Sequence, residues 1–282
     1  MDIQELLMRE SRTNIENWCR SRAQNAAMLD SVLCRVLGKY LMYVPNTDRS
    51  VAPHLILDGY WEMWITMAVA RYVSEGMICV DVGANVGYYS VLLTDIVGPK
   101  GHVYAVEPVT TLALRANLEK VGGSGCSNWT VVDAAASEQS GYANLTCFWQ
   151  HLGDCSLQPS TASLHPGDTT KTMNVRTVKL NDLVTSADFI KIDVEGHEPA
   201  VWRGARELIA RSPKVQIAAE WTRHYDPDAQ IAVLAQEDGF VLHEVHTDGG
   251  IKRVTLDEVR SGEPTWRMLW LSRTPWANVV RR

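Results

Sequence analysis

Carboxylates accompany three successive strand-like runs of this chain. Asp81 lies in Ile78–Val82, Glu107 follows His102–Val106, and Asp133 follows Trp129–Val132. After Asp81 comes Val82-Gly83-Ala84-Asn85-Val86-Gly87, a turn that opens a helical stretch. Small residues there let backbone approach a ligand closely, and a helix N-terminus leaves N–H groups facing it. A dinucleotide fingerprint would carry glycine where Asn85 stands, and Asp81 would sit badly beside a pyrophosphate. A carboxylate does suit an ammonium group. Glu107 can accept both hydroxyls of a ribose. Asp133 and Ala134 can meet the amino group and ring edge of an adenine. Each feature alone has a plainer reading, as a packed turn or a capping Asp. Three carboxylates on the edge where α/β folds bind ligands fit a nucleoside that carries a cation, such as S-adenosylmethionine.

A fourth strand runs into Lys191-Ile192-Asp193-Val194-Glu195-Gly196-His197-Glu198. Alternation points Lys191 and Asp193 to one face and Ile192 and Val194 to the other. Charge at the inner end of a central strand is costly, so Asp193 and Glu195 are expected to act on something. His197 has an unperturbed pKa suited to proton removal near neutrality; its competing reading is a solvated residue at a helix start. Glu220 and His224 could line the same pocket, and Tyr60-Trp61-Glu62 could fold down over the ligand. His243 and His246 read as surface residues.

Strands alternating with helices must position these groups. Gly87–Val97 reads as the helix after the first strand, and Leu114, Leu118 and Val121 mark the second, stopped by Gly122-Gly123. Phe189–Val194 and Lys214–Glu220 are further strands, with a helix from Pro199 between them. Phe240–Val245 and Met268–Ser272 could pair antiparallel at the sheet edge. Such alternation needs a mostly parallel sheet covered on both faces. Residues 137–180 interrupt it and read as a β-hairpin insertion, with strands at Tyr142–Trp149 and Met173–Lys179 around a polar loop. Residues 1–76 read as helices: Leu29, Leu33, Val36 and Leu37 follow one helical face, and Trp61, Trp64, Ile65, Ala68 and Tyr72 another. The stretch from Pro45 to Gly59 reads as irregular. Two units result, an N-terminal segment 1–76 and a ligand-binding domain 77–282.

Composition bounds the rest. The chain has 282 residues, 46% of them apolar and 21% charged, so a disordered chain is excluded. Its net charge of −6 and the lack of a dense basic segment argue against a nucleic-acid partner. No apolar run is long enough for a membrane span, and the N-terminus lacks a signal-peptide pattern. Six scattered cysteines fit reduced thiols in a cytoplasm. Oligomeric state is left open, with a homodimer as one option.

The motifs resemble those of the FkbM family of S-adenosylmethionine-dependent methyltransferases. The resemblance rests on Val80–Gly87, Val106-Glu107-Pro108, Asp133-Ala134-Ala135, Val178–Leu183 and Asp188–Gly196, in order, over about residues 58–222. It implies a class I, Rossmann-like α/β fold with a seven-stranded, mostly parallel sheet and an antiparallel last strand. It also implies O-methylation of a hydroxyl on a sugar, polyketide or other secondary metabolite. Carried over, Asp81, Gly83, Ala84, Asn85, Gly87 and Tyr88 form the methionyl-binding loop. Glu107 becomes the ribose ligand, and Asp133 with Ala134 the adenine contacts. Glu62 matches the family's acidic residue ahead of the first strand, and Asp193 and Glu195 match its motif after strand four. This chain departs by His197, where a small residue is common, and by Asn181, where Asp is usual. The base is then His197 or Glu195, with Asp193 orienting acceptor or cofactor. The first 57 residues become an acceptor lid. Methyl transfer needs no metal, although Asp193, Glu195 and Glu220 with His197 could hold a divalent cation. An NAD-dependent oxidoreductase and a non-catalytic nucleoside-binding protein are the rival readings, disfavoured by Asn85 and Asp81 and by the charge cluster respectively.

Overall fold

The computed structural model describes residues 2–121, 128–157 and 169–273. The chain opens with α1 (Ile3–Arg9) and α2 (Arg12–Arg20), each capped by a side chain, Asp2 and Ser11, that accepts a backbone N–H. Then the helical expectation fails. Residues 25–45 form an antiparallel sheet of β1 (Asn25–Ala27), β2 (Ser31–Val36) and β3 (Tyr40–Pro45). Leu29, the first member of the supposed helical stripe, is 90% exposed. The turn between β2 and β3 places Leu37 at φ 47° and Gly38 at φ 58°, the paired positive values a tight hairpin requires. Gly38 is needed for a second reason, since a Cβ there would overlap the Trp18 ring. Within the stretch expected to be irregular, α3 (Ala52–Leu57) forms with Pro53 in its first turn. It leads to α4 (Met63–Tyr72).

From β4 (Ile78–Val82) the expected alternation holds. α5 (Tyr88–Val97), β5 (His102–Glu107), α6 (Thr111–Leu118) and β6 (Trp129–Asp133) follow; the proposed Gly122-Gly123 stop lies outside the described residues. The insertion then holds β7 (Ala135–Ala136), β8 (Gly141–Phe148), β9 (His151–Ser156) and β10 (Thr170–Val178). Its expected pair, β8 and β10, is antiparallel and adjacent, but the unit is a four-stranded sheet in the order β7-β10-β8-β9 rather than a hairpin. The core resumes with α7 (Leu180–Leu183), β11 (Phe189–Ile192), α8 (Glu198–Arg211), β12 (Gln216–Thr222), α9 (Gln230–Glu237), β13 (Val241–Val245), β14 (Ile251–Arg253), α10 (Leu256–Ser261) and β15 (Trp266–Ser272).

The main sheet runs β14-β13-β15-β12-β11-β4-β5-β6. β15 is antiparallel to both neighbours, β12 and β13, while β12, β11, β4, β5 and β6 are mutually parallel. This is the class I methyltransferase arrangement, with the three-residue β14 added at one edge. One face is covered by α4, α5, α6 and the N-terminal elements, the other by α8, α9 and α10. The N-terminal segment is bonded to this core: Gln4 Nε2 donates to Ala70 O and Val73 O, and Asn117 bonds both the N–H and the carbonyl of Tyr43. His243, expected at the surface, is buried against Trp270 O, while His246 is exposed. Among the described residues, no helix is long and apolar enough to cross a membrane.

Candidate active site

A cavity of about 200 Å³ opens at the C-terminal ends of β4, β5 and β11. Three groups of residues wall it. The first comes from those strand ends and the turns after them: Gly83, Ala84, Asn85, Tyr88, Glu107, Asp193, Glu195 and His197. Trp61 and Glu62, ahead of α4, lie over it together with Ser50 and Val51. The insertion contributes Leu145, Leu152, Gly153, Asp154, Cys155 and Leu157. Non-glycine residues at positive φ are Leu37, Glu62, Asn85, Glu195 and Ala229 among the described residues, and three of these five line the cavity. Each costs on the order of 1 to 3 kcal/mol, and strain of this kind gathers where a side chain must be aimed.

The glycine turn is held differently from expectation. The N–H groups of Gly83 and Ala84 both donate to Val106 O, at 3.0 and 3.2 Å, and Asn85 N–H donates to Glu107 Oε2 at 3.1 Å. Those donors shape the loop. A Cβ on Gly83 would lie 1.8 Å from the Asp193 carbonyl oxygen, so the glycine admits protein backbone. Gly87, at φ 94°, precedes α5 and stands against Leu114. Asp81 is buried beneath the loop and does not line the cavity. Ser90 Oγ donates to its Oδ2 at 2.6 Å, while Oδ1 has no partner. Burial pushes its carboxyl above the ordinary range. Tyr88 spends its hydroxyl on Thr66 Oγ1 at 2.9 Å.

Glu107 is buried, which raises its pKa against the opposing pull of backbone N–H groups. Its Oε1 accepts from Val109 N at 2.6 Å and Thr110 N at 3.0 Å, and its Oε2 from Asn85 N. A carboxylate offers about four acceptor positions. One on Oε2 therefore stays open, which suits one ribose hydroxyl rather than the bidentate grip expected. Asp133 is exposed and Ala134 is buried outside the cavity. After Asp133 the chain leaves the main sheet, and Ala135 and Ala136, in β7, stand in the cavity wall instead.

The alternation reading of strand four is borne out, with a buried lysine as its core. Lys191 is 2% exposed, its Nζ lies 2.7 Å from Asp193 Oδ2, and it stands over the Tyr89 ring at 4.6 Å. Burial works against its charge, but Asp193, Asp81 and Glu62 outweigh that and raise its pKa. Burial likewise opposes the charge of Asp193, yet the Lys191 ammonium wins and holds it below the usual carboxylate range. Desolvation of the half-buried Glu62, together with the nearby charge of Asp193, pushes it up to about 7, and Tyr89 OH donates to its Oε2 at 3.1 Å. Burial and the neighbouring acids push Glu195 and Glu220 well above the ordinary range, and Trp266 Nε1 donates to Glu220.

Asp193, Glu195 and Glu220 each bring one oxygen within 4.8 Å of the others, a spacing that could hold a cation. His197 is not in that group. Its Nε2 meets Ser137 Oγ at 2.9 Å, and burial lowers its pKa, so the imidazole is neutral near pH 7. His224 does not line the cavity. Residues that sequence reasoning left out of the site are Lys191, Tyr89 and the β9 segment. A lysine amid the apolar run Phe189–Ile192 was the available signal for the first.

The strand order and a strand-end cavity walled by a Gly-Ala-Asn turn define the S-adenosylmethionine-dependent methyltransferase class. The sequence model described as "Methyltransferase FkbM domain" matches residues 81–245, more than half of the chain. The chain belongs to the FkbM methyltransferase family, and S-adenosylmethionine is its methyl donor. It is also similar to the protein-L-isoaspartate O-methyltransferases of Ignicoccus hospitalis (35% identical over 29% of this chain) and Aeropyrum pernix (49% over 20%). These matches span only 34% and 22% of the relatives' own lengths. Among solved structures, it is similar to a precorrin-6y C5,15-methyltransferase from Geobacter metallireducens. That match has a TM-score of 0.41 at 10% identity, over 73% of this chain and 85% of that one. It is also similar to Aeropyrum pernix fibrillarin with natively bound S-adenosyl-L-methionine (TM-score 0.41, 13% identity, 88% and 99% covered).

Proposed function

We propose that the chain methylates a hydroxyl of a small molecule that carries no anionic group, such as a sugar, polyketide or related secondary metabolite. The observation that carries this reading is the charge of the cavity. Six acidic side chains line it (Glu62, Glu107, Asp154, Asp193, Glu195 and Glu220): Asp193 is held ionised by Lys191, while burial pushes Glu62, Glu107, Glu195 and Glu220 toward their neutral forms. Lys191, the one lysine among the described lining residues, is already paired with Asp193. S-adenosylmethionine carries positive charge on sulfur and on its amino group against a single carboxylate, and this net cation suits such a wall. The open position on Glu107 Oε2 fits the ribose end. An anionic acceptor would meet no unpaired lysine among the described lining residues and would add like charge beside the ionised Asp193. The isoaspartyl group named for the relatives is one, and the phosphates of a nucleic acid are another. The reading goes with a cytoplasmic protein.

Bound S-adenosylmethionine supplies an electrophilic methyl on a sulfonium. The cavity must hold the acceptor oxygen about 3 to 3.5 Å from that carbon, in line. Asp193, kept ionised by Lys191, and Glu195, aimed by its positive φ, orient the acceptor. His197, neutral and lining the cavity, takes the hydroxyl proton. Release of S-adenosylhomocysteine, followed over neutral glycosides, amino sugars, sugar phosphates and an isoaspartyl peptide, tests the reading. Turnover is expected with the first two classes. Turnover of the isoaspartyl peptide or a sugar phosphate would overturn it. With an accepted substrate, His197→Ala should slow turnover by about 10²–10⁴, and Glu195→Gln should cost less. The reverse order would move the base to Glu195.

A further inference from the structure

Asp48 belongs to none of the motifs, yet it is 8% exposed and its carboxylate gathers five hydrogen bonds. Four are local. Ser50 N and Ser50 Oγ donate to Oδ1 at 3.2 and 2.6 Å, and Val51 N and Ala52 N donate to Oδ2 at 3.0 and 2.8 Å, where α3 begins. The fifth comes from the insertion: Leu152 N donates to Oδ1 at 3.2 Å. Two more bonds close the seam. Gly153 N donates to Ser50 Oγ at 3.4 Å, and Arg49 N donates to Gln150 O at 2.7 Å. At its far end β9 is fastened again, where Ser156 Oγ donates to the Glu195 carbonyl at 2.7 Å. The residues joined on both sides of the seam, Ser50 and Val51 with Leu152 and Gly153, line the cavity, as do Asp154 and Cys155 beyond them.

The bonding is lopsided in a useful way. If the near end of β9 lifts away, Asp48 keeps its four local donors, so no buried carboxylate is stranded. The near end of β9 is therefore releasable, whereas a carboxylate satisfied mainly by the insertion would lock it. We propose that Asp48 is a positioning residue that sets β9 across the cavity and so governs how long the cofactor stays bound. This rests on the cofactor reading given above. Asp48 acts through Leu152 and, by way of Ser50, through Gly153.

S-adenosylhomocysteine serves as the probe, so no acceptor is needed. Asp48→Asn removes the carboxylate while keeping its size. Ser50→Ala, a milder change that should leave the fold intact, removes the Gly153 bond and the hydroxyl's own bond to Asp48 while the Leu152 bond to Asp48 stays. In Asp48→Asn the S-adenosylhomocysteine dissociation rate should rise at least about tenfold, the equivalent of one hydrogen bond to a charged group. In Ser50→Ala it should rise by less. Amide exchange should accelerate in the peptide spanning 150–157 and stay at the wild-type level in β4 and β11, which separates a seam effect from general loosening. A wild-type dissociation rate in a variant whose 150–157 amides exchange faster would overturn the proposal. Unchanged protection of that peptide in both variants would also overturn it. A wild-type protein that binds no S-adenosylhomocysteine would instead overturn the cofactor reading, and the role of Asp48 with it.

Discussion

Gly83→Val is expected to lose the native structure around the cavity, and cofactor binding with it. The added Cβ would sit 1.8 Å from the Asp193 carbonyl oxygen, which is backbone and cannot swing aside. Residue 83 also stands at φ 78°, a conformation that a β-branched side chain resists. Overpacking costs typically 1 to 3 kcal/mol, and the left-handed conformation adds about 1 to 2 kcal/mol. Together these are a large share of the roughly 5 to 15 kcal/mol that holds a domain. Thermal unfolding followed by circular dichroism reads the result. A variant that melts like the wild type but binds no cofactor would return Gly83 to the ligand-contact role expected from sequence.

Lys191→Met should be nearly as severe, and its cost should depend on pH. The substitution keeps an unbranched apolar stem but leaves the Asp193 carboxylate without its ammonium partner. Breaking a fully buried pair costs about 3 to 5 kcal/mol, and the 26% exposure of the Asp193 side chain brings the loss below that. In the wild type the pKa of Asp193 is depressed. A depressed carboxylate contributes stability that is present above its unfolded pKa of about 3.9 and is lost as pH falls through its folded value. Without Lys191, burial is opposed only by the hydrogen bond with Glu220 and raises the pKa, which reverses the sign: the variant is penalised as pH climbs past the unfolded value. The stability gap between the two proteins should therefore be widest near neutrality and narrow toward about pH 4. Urea unfolding at the two pH values checks this, and a gap that does not change with pH would remove the pair from the account.

These expectations show which parts of the molecule could be read from residues alone. The parallel core was legible because strands buried on both faces are short apolar runs, and Phe189–Ile192 with its single lysine is typical. The acid cluster was legible because charge at a strand end has few structural excuses. The N-terminal sheet was not, since Leu29, Leu33, Val36 and Leu37 fit a helical spacing by accident and only Gly38 hinted at a hairpin. β9 was hidden for a different reason. Its Gly153 and Asp154 are poor strand formers, and it is an edge strand whose register against β8 shifts between Thr146 and Phe148. Asp133 ends β6 as its spacing predicts, but the chain leaves the main sheet after it, and no local pattern showed that Ala135 and Ala136 would stand in the cavity wall. The seam at Asp48 depends on two segments about a hundred residues apart. No local pattern announces it.

The central claim is that this cavity is where S-adenosylmethionine binds, with Glu107 on the ribose. Calorimetric titration of the wild type and Glu107→Gln with S-adenosylmethionine tests it most directly. The amide retains the size of the side chain but gives up the charged acceptor, which lines the cavity and has a position on Oε2 beyond its three backbone donors. Thermal unfolding of the same samples confirms that the variant is folded. Saturable binding by the wild type and an affinity weaker by about 1.5 to 3 kcal/mol in the variant, roughly 10- to 100-fold, is the predicted result. A folded Glu107→Gln protein that binds S-adenosylmethionine as tightly as the wild type would contradict the account.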